Sequence, residues 1–284
     1  MARYKRDTNF VWTDLSTYDR PAALRFYKRL FGWKAYDLGR GDAGGDDPFG
    51  MSEVRYHVAT IGPTAIAGIF DMPPFFAAID MPSFWMSYLS VDHLDDVVER
   101  ARAIEGAVVD VEPTPFGDGT MALIRDPLGA GFTVYEGPSI DGKGDGGRYG
   151  QMVWNELITE SIVAVEPFYR EVVGVDLVEV DGHGGARATI VNPSGVEIGA
   201  VQEVDESIRS DKVYWLPFFS VDTIAEFEKR LVAAGGRLLS TTDDPAGGTA
   251  MAYDVGGAAF AVAETGAAPG GGVGSWLMSF LGRG

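Results

Sequence analysis

The sequence predicts an α+β protein made of two tandem modules, each assembled from βα units followed by further strands. Three observations carry this. Val11-Trp12-Thr13-Asp14-Leu15, with Phe26-Tyr27 and Gly32, recurs as Val153-Trp154-Asn155-Glu156-Leu157, with Phe168-Tyr169 and Gly174, at a constant offset of 142. The run from Trp85 to Asp92 returns as Trp215 to Asp222 at an offset of 130. Asp126, Gly129, Phe132, Val134 and Glu136 return as Asp254, Gly257, Phe260, Val262 and Glu264 at an offset of 128. Blocks in one order, with an offset that shrinks only between blocks, mean a duplication whose second copy lost loop residues.

The elements follow in order. Phe10 to Leu15 alternates as a half-buried strand does, and Asp19-Arg20-Pro21 supplies an N-cap and an early-helix proline. Ala22, Ala23, Phe26, Tyr27, Leu30 and Phe31 keep helical spacing until Gly32 closes the helix. Tyr56 to Ile61, Ala65 to Phe70 and Phe84 to Val91, separated by Gly-Pro and Pro-Pro, read as three strands. Asp92 to Ile104 reads as a second helix. Thr120 to Ile124 and Gly131 to Glu136 form a closing hairpin across Asp126-Pro127-Leu128-Gly129. The second copy repeats the pattern, with strands at Met152 to Leu157, Ala186 to Val191, Glu197 to Val201 and Tyr214 to Val221. Its helices are expected over about Ile162 to Val173 and Thr223 to Ala234, with a closing pair around Ala250 to Ala263. In outline each module is a βαβββ unit repeated.

These elements set the domain boundaries at 9–136 and 151–264. Between them, residues 137–150 have the glycine-rich, charged composition of a surface linker. Residues 265–284 form a flexible tail whose apolar end, Trp276 to Leu281, is read as docking on the protein's own surface or on the second subunit of a homodimer. A net charge of −18 opposes nucleic acid. The absence of cysteine excludes disulfides and thiol chemistry. With no signal-peptide core and no apolar run of membrane-spanning length, the expectation is a cytoplasmic protein that does not engage membranes.

Val11 to Leu15, Ala22-x-x-x-Phe26-Tyr27-x-x-Leu30-Phe31-Gly32-Trp33, Tyr88 to Asp92, and Asp126-Pro127-Leu128-Gly129 ahead of a last strand together resemble the vicinal oxygen chelate superfamily. That superfamily includes glyoxalase I, bleomycin- and fosfomycin-resistance proteins and extradiol dioxygenases. The chain is similar in particular to its two-module actinobacterial glyoxalase-like, hydroxylase-labelled group. The resemblance implies curved mixed sheets forming cups, with metal ligands in metal-using members on the first strand, the strand before the second helix and the last strand. Those positions fall on Trp12, Met86 and Thr133 in the first module and on Trp154, Leu216 and Ala261 in the second. None suits a divalent cation, so no metal and no cofactor is expected. His57, His93 and His183 lie in different elements without ligand spacing.

Residues i and i+2 of a strand share a face, so Asp14 points with Trp12 and Glu156 with Trp154. Each acid is a candidate catalytic acid/base, a hydrogen-bond anchor for a ligand, a carboxylate ligand of an unusual metal site, or a structural group that caps backbone or pairs with an arginine across the module interface. Trp12, Met86, Tyr88 and Thr133, with Trp154, Leu216 and Phe218, are candidate ligand-binding residues, their flat apolar surfaces suited to a planar molecule. The opposing reading has the tryptophans plugging closed cups. Asp37 to Gly50, absent from the second copy, is read as a lid or a tolerated loop. Two functions stay open: a metal-free small-molecule-binding protein of the bleomycin-resistance type, or an enzyme (lyase, isomerase or hydroxylase-associated) using Asp14 or Glu156 directly or as relocated ligands.

Overall fold

A computed structural model describes residues 7–40, 53–138, 140, 142, 148–180, 186–205, 212–242 and 247–265. The first module contains β1 (Phe10–Thr17), α1 (Arg20–Phe31), β2 (Lys34–Arg40), β3 (Arg55–Ile61) and β4 (Thr64–Asp71). A short helix α2 (Pro74–Ala78) leads to β5 (Phe84–Ser90), α3 (Leu94–Ala103), β6 (Val108–Phe116), β7 (Gly119–Arg125) and β8 (Gly131–Glu136). The second module repeats this as β9 (Met152–Thr159), α4 (Ile162–Phe168), β10 (Asp176–Val180), β11 (Arg187–Val191) and β12 (Glu197–Glu203). It finishes with β13 (Tyr214–Val221), α5 (Ile224–Ala234), β14 (Arg237–Thr242), β15 (Thr249–Tyr253) and β16 (Ala259–Glu264).

Each module is one curved eight-stranded sheet, ordered β2-β3-β4-β1-β5-β8-β7-β6 in the first and β10-β11-β12-β9-β13-β16-β15-β14 in the second. Two βαβββ units meet at an antiparallel central pair, β1 with β5 and β9 with β13. Strands β2, β6, β10 and β14, absent from the elements read in the sequence, are the outer edges of the two sheets. β2 is exposed at nearly every position and β6 alternates poorly, so neither carries the period-2 signature of a half-buried strand.

Local chemistry sets the helix ends. The Asp19 carboxylate accepts from Ala22 N at 2.9 Å, and Gly32 closes α1 at φ 75°, a left-handed conformation that glycine adopts without cost. The corresponding helix of the second module carries Pro167 and ends in one π-helical turn, Tyr169–Val173, closed by Gly174. Glu136 and Glu264 accept from the first amides of α3 and α5, Leu94 N and Ile224 N, each at 2.8 Å.

The helices of both modules share one continuous core between the sheets. α1 packs on α5, and α3 on the π-helical turn after α4. The ring contacts are reciprocal: Phe26 and Tyr27 surround Phe260 at 6.3 and 5.9 Å, while Phe168 and Tyr169 surround Phe132 at 6.2 and 5.8 Å. On the opposite face of each sheet lies a separate apolar cluster, one around Trp12, Tyr88 and Tyr135 and one around Trp154, Leu216 and Phe218. These are the two cups.

Part of the 137–150 segment is packed rather than spacing the modules apart. Gly142 is buried and donates its N–H to Val11 O at 2.7 Å, and a Cβ there would lie 2.7 Å from Trp12 Cε3. Ile140 packs on the first cup's cluster. The tail beyond Thr265, His183, and the stretch from 41 onward of the segment read as a lid lie outside the described residues; Asp37 to Arg40 are in β2. No helix among the described residues is long and apolar enough to cross a membrane.

Candidate active site: a carboxyl held by three side chains

The sheet register brings the predicted residues of the first cup together. Trp12 lies opposite Tyr88 and Asp14 opposite Met86 across β1 and β5, and Tyr88 lies opposite Thr133 across β5 and β8. Asp14 is almost completely buried, at 1% exposure. Its Oδ1 accepts from Trp12 Nε1 and Tyr56 Oη, both at 2.6 Å, and its Oδ2 accepts from Tyr88 Oη at 2.6 Å. Tyr56, Met86, Met121 and Phe116 are partly exposed at the edge of the cluster.

Burial pushes the Asp14 carboxyl up to about 6, even though the Tyr56, Tyr88 and Trp12 side chains and the Gly68 amide favour the ionised form. The same burial, with the negative charge of Asp14, drives the Tyr56 and Tyr88 phenols well above their usual range, so they remain donors. The Thr133 hydroxyl interacts with the Tyr88 phenol from the neighbouring strand.

Tyr56 and Gly68 escaped the sequence reading. Asp14 is paired in register with Gly68 of β4, and a Cβ at Gly68 would lie 2.0 Å from both Asp14 Oδ1 and Tyr56 Oη. A bare glycine therefore vacates the space in which the carboxylate and phenol meet. Neither residue belongs to a repeated block, so only pairing across β3 and β4 exposes them.

The second cup is built from the same positions with different chemistry. Glu156 pairs with Ala200 as Asp14 pairs with Gly68, Phe218 stands in the place of Tyr88, and Ala261 in that of Thr133. The strand position of Tyr56 is occupied by Arg187, whose Nη2 lies 2.8 Å from Glu156 Oε1. Both side chains are buried, at 4% and 0% exposure. Burial raises the Glu156 carboxyl and the Arg187 guanidinium opposes that rise. An arginine partner for Glu156 was one of the expected outcomes, but it comes from β11 of the same module and not from across the interface. Among the described residues, Asp14 has no arginine as a hydrogen-bond partner.

Trp12, Met86 and Thr133, like Trp154, Leu216 and Ala261, offer no carboxylate, imidazole or thiolate. Among the described residues no three His, Cys, Asp or Glu side chains cluster in a way that could hold an ion. The donor set does not fit the family's metal site.

Residues 9–134 match the profile of the glyoxalase/bleomycin resistance protein/dioxygenase superfamily. The chain is 31% identical over 254 residues to "Putative glyoxylase CFP32" of Mycobacterium tuberculosis, covering 88% of this chain and 92% of that protein. The chain belongs to this superfamily. A second relative is the anthracycline biosynthesis protein DnrV of Streptomyces peucetius, 29% identical over 257 residues, with 89% of this chain and 92% of that protein covered. Solved structures of the superfamily fold agree. A 4-hydroxymandelate synthase variant from Streptomyces coelicolor superposes with a TM-score of 0.62 at 14% identity, covering 94% of this chain and 95% of that one. The 2,3-dioxygenase LapB from Pseudomonas sp. KL28 gives 0.59 at 14% identity, covering 91% and 92%.

Proposed function

We propose that the protein is a metal-independent member of the superfamily that takes a planar, hydroxyl-bearing aromatic metabolite in its first cup. The observation that carries this reading is the Asp14 carboxyl, set among Trp12, Tyr56 and Tyr88 where the family would place a metal centre. Oδ1 accepts from two side-chain donors and Oδ2 from one, the Gly68 amide acts on the same carboxyl, and Tyr56 stands at the partly exposed edge where a ligand hydroxyl would take its place on the acid. Flat walls around one polar anchor suit a ring system. The relative named for anthracycline biosynthesis fits this chemistry, since anthracyclines are fused planar rings. The second cup, with Glu156 neutralised by Arg187, serves as the structural partner.

A second reading draws support from the carboxyl's position near 6: Asp14 is then a general acid/base acting on the same ligand, as in a lyase or isomerase. Glu156 is less suited to that role because Arg187 is paired with it and opposes the rise that burial causes.

Titration of hydroxylated polycyclic aromatics into the protein, read by tryptophan emission, tests the proposal. Saturable quenching is expected in the wild type, and Trp12→Phe should lose that component while Trp154→Phe keeps it. Elemental analysis should find no stoichiometric transition metal. An ion lost on Asp14→Ala would overturn the metal-free reading. Unchanged affinity in Asp14→Asn together with loss of a measurable ligand conversion would replace the binder by the enzyme.

A further inference from the structure

A cleft of about 370 Å³ opens where the two modules meet, away from both cups. Its walls include Asp7, Val91, Val97, Arg100, Val173 and Ser194. The duplication supplies a direct comparison, because the repeat offsets place Tyr149 at the twin of Asp7, Phe227 at that of Val97, Arg230 at that of Arg100 and Phe31 at that of Val173. The twin site is filled. The Tyr149 ring lies under the Arg230 guanidinium at 5.0 Å and against Phe31 at 5.8 Å, with Phe227 buried in the core beside α1.

The surrounding frame is alike at both sites, so the difference lies in the side chains. The segment before β9 reaches the other module's hairpin turn through Arg148 Nη1 and Thr64 Oγ1 at 2.8 Å. The segment before β1 does the same through Thr8 O, accepting from Asn192 Nδ2 at 3.1 Å, and through Asp7 Oδ1, accepting from Ser194 Oγ at 2.7 Å. The three aromatics of the filled site, Tyr149, Phe227 and Phe31, correspond to Asp7, Val97 and Val173 in the open one. Arg100 survives, with its Nε and Nη2 both donating to Val172 O.

We infer that this cleft is a binding site for a free monocyclic phenol, whose ring takes the place that Tyr149 occupies in the twin. Arg100 supplies the cation for the ring face, Val91, Val97 and Val173 the apolar floor, and Asp92, in the cleft wall at the twin of the Asp222 whose charge acts on the Tyr149 phenol, an acceptor for the phenolic O–H. The inference is independent of the cup proposal, which concerns the opposite face of the sheet.

p-Cresol, the side chain of tyrosine as a free molecule, is the probe. Titrated into the full-length, isotope-labelled protein, it should shift the backbone amide resonances of Val97, Gly174 and Ser194 saturably. Asp7→Tyr combined with Val97→Phe restores two residues of the filled site and should weaken that response at least tenfold. Val173→Phe, which restores the third, gives the same test if the double variant folds poorly. Absence of shifts at these amides, shifts confined to the Trp12 indole and Tyr88 in the cup, or undiminished binding in folded filled variants would each overturn the assignment.

Discussion

Tyr27 of α1 donates its phenolic hydrogen to Asp254 Oδ2 of the other module at 3.1 Å, and the duplication repeats the bond in reverse as Tyr169 to Asp126 Oδ2 at 3.0 Å. Each aspartate's other oxygen accepts backbone amides of its own turn: Leu128, Gly129 and Ala130 for Asp126, and Gly256 and Ala258 for Asp254. The residues most visible as repeats are thus the ones that join the modules. Burial raises both carboxyls and drives both phenols well above their usual range, so at neutral pH the hydroxyls are the donors.

Removing one of these phenols should loosen the module interface. Tyr27→Phe leaves Asp254 with its turn amides but without its cross-module donor, at a cost of about 1 to 3 kcal/mol. Tyr169→Phe should cost the same, and the two losses should add because the bonds share no partner. Urea unfolding measures this; a double variant as stable as wild type would remove the interface role.

Acid should stabilise the protein through Asp14. A carboxyl raised from 3.8 to about 6 by burial makes a contribution that is fully present below pH 4 and is lost as pH rises through 6. The shift corresponds to about 3 kcal/mol between those limits. Asp14→Asn removes the titration, so its stability relative to wild type should rise by that order between pH 4 and pH 7. Parallel stability profiles for the two proteins would contradict the assignment.

The buried ion pair of the second cup should behave asymmetrically. Arg187→Met strands Glu156 without its cation and is expected to cost roughly 3 to 5 kcal/mol, whereas adding Glu156→Leu should recover most of that loss. Thermal or denaturant unfolding of the single and double variants gives the comparison. A double variant that remains as unstable as the single one would mean that packing, and not charge, dominates the site.

Gly68→Ala tests the space the first cup requires. The new methyl would lie 2.0 Å from Asp14 Oδ1 and from Tyr56 Oη, so one of them must move. Overpacking of this kind costs roughly 1 to 3 kcal/mol, and the polar cluster should lose its Tyr56 donor. The change is read as altered emission of Trp12, whose indole shares the carboxyl; unchanged emission and stability would show that the cup yields freely.

The duplication, helix caps and central strands were legible because they rest on local spacing that both copies preserve. Trp12 and Asp14 could be placed on one face because strand alternation is a property of adjacent residues. Tyr56 and Arg187 could not be paired from sequence, since they lie at equivalent strand positions without sharing chemistry, and equivalence appears only through the partners of Gly68 and Ala200. The edge strands were missed for a different reason. With much of their length exposed, their residues answer to backbone pairing and leave no hydrophobic period to read.

The single core between the sheets has a consequence for how the protein can be divided. Either module alone would leave bare the aromatic surface that its neighbour covers, so each is half of a dimer whose halves are fused on one chain. Tethering makes pairing unimolecular and independent of dilution. It also frees the copies from identity, because a fused pair need not build the same site twice. One half has kept an anchor of neutral donors around its acid while the other has closed its acid on an arginine. A symmetric assembly of identical subunits would have to build one of these two arrangements twice.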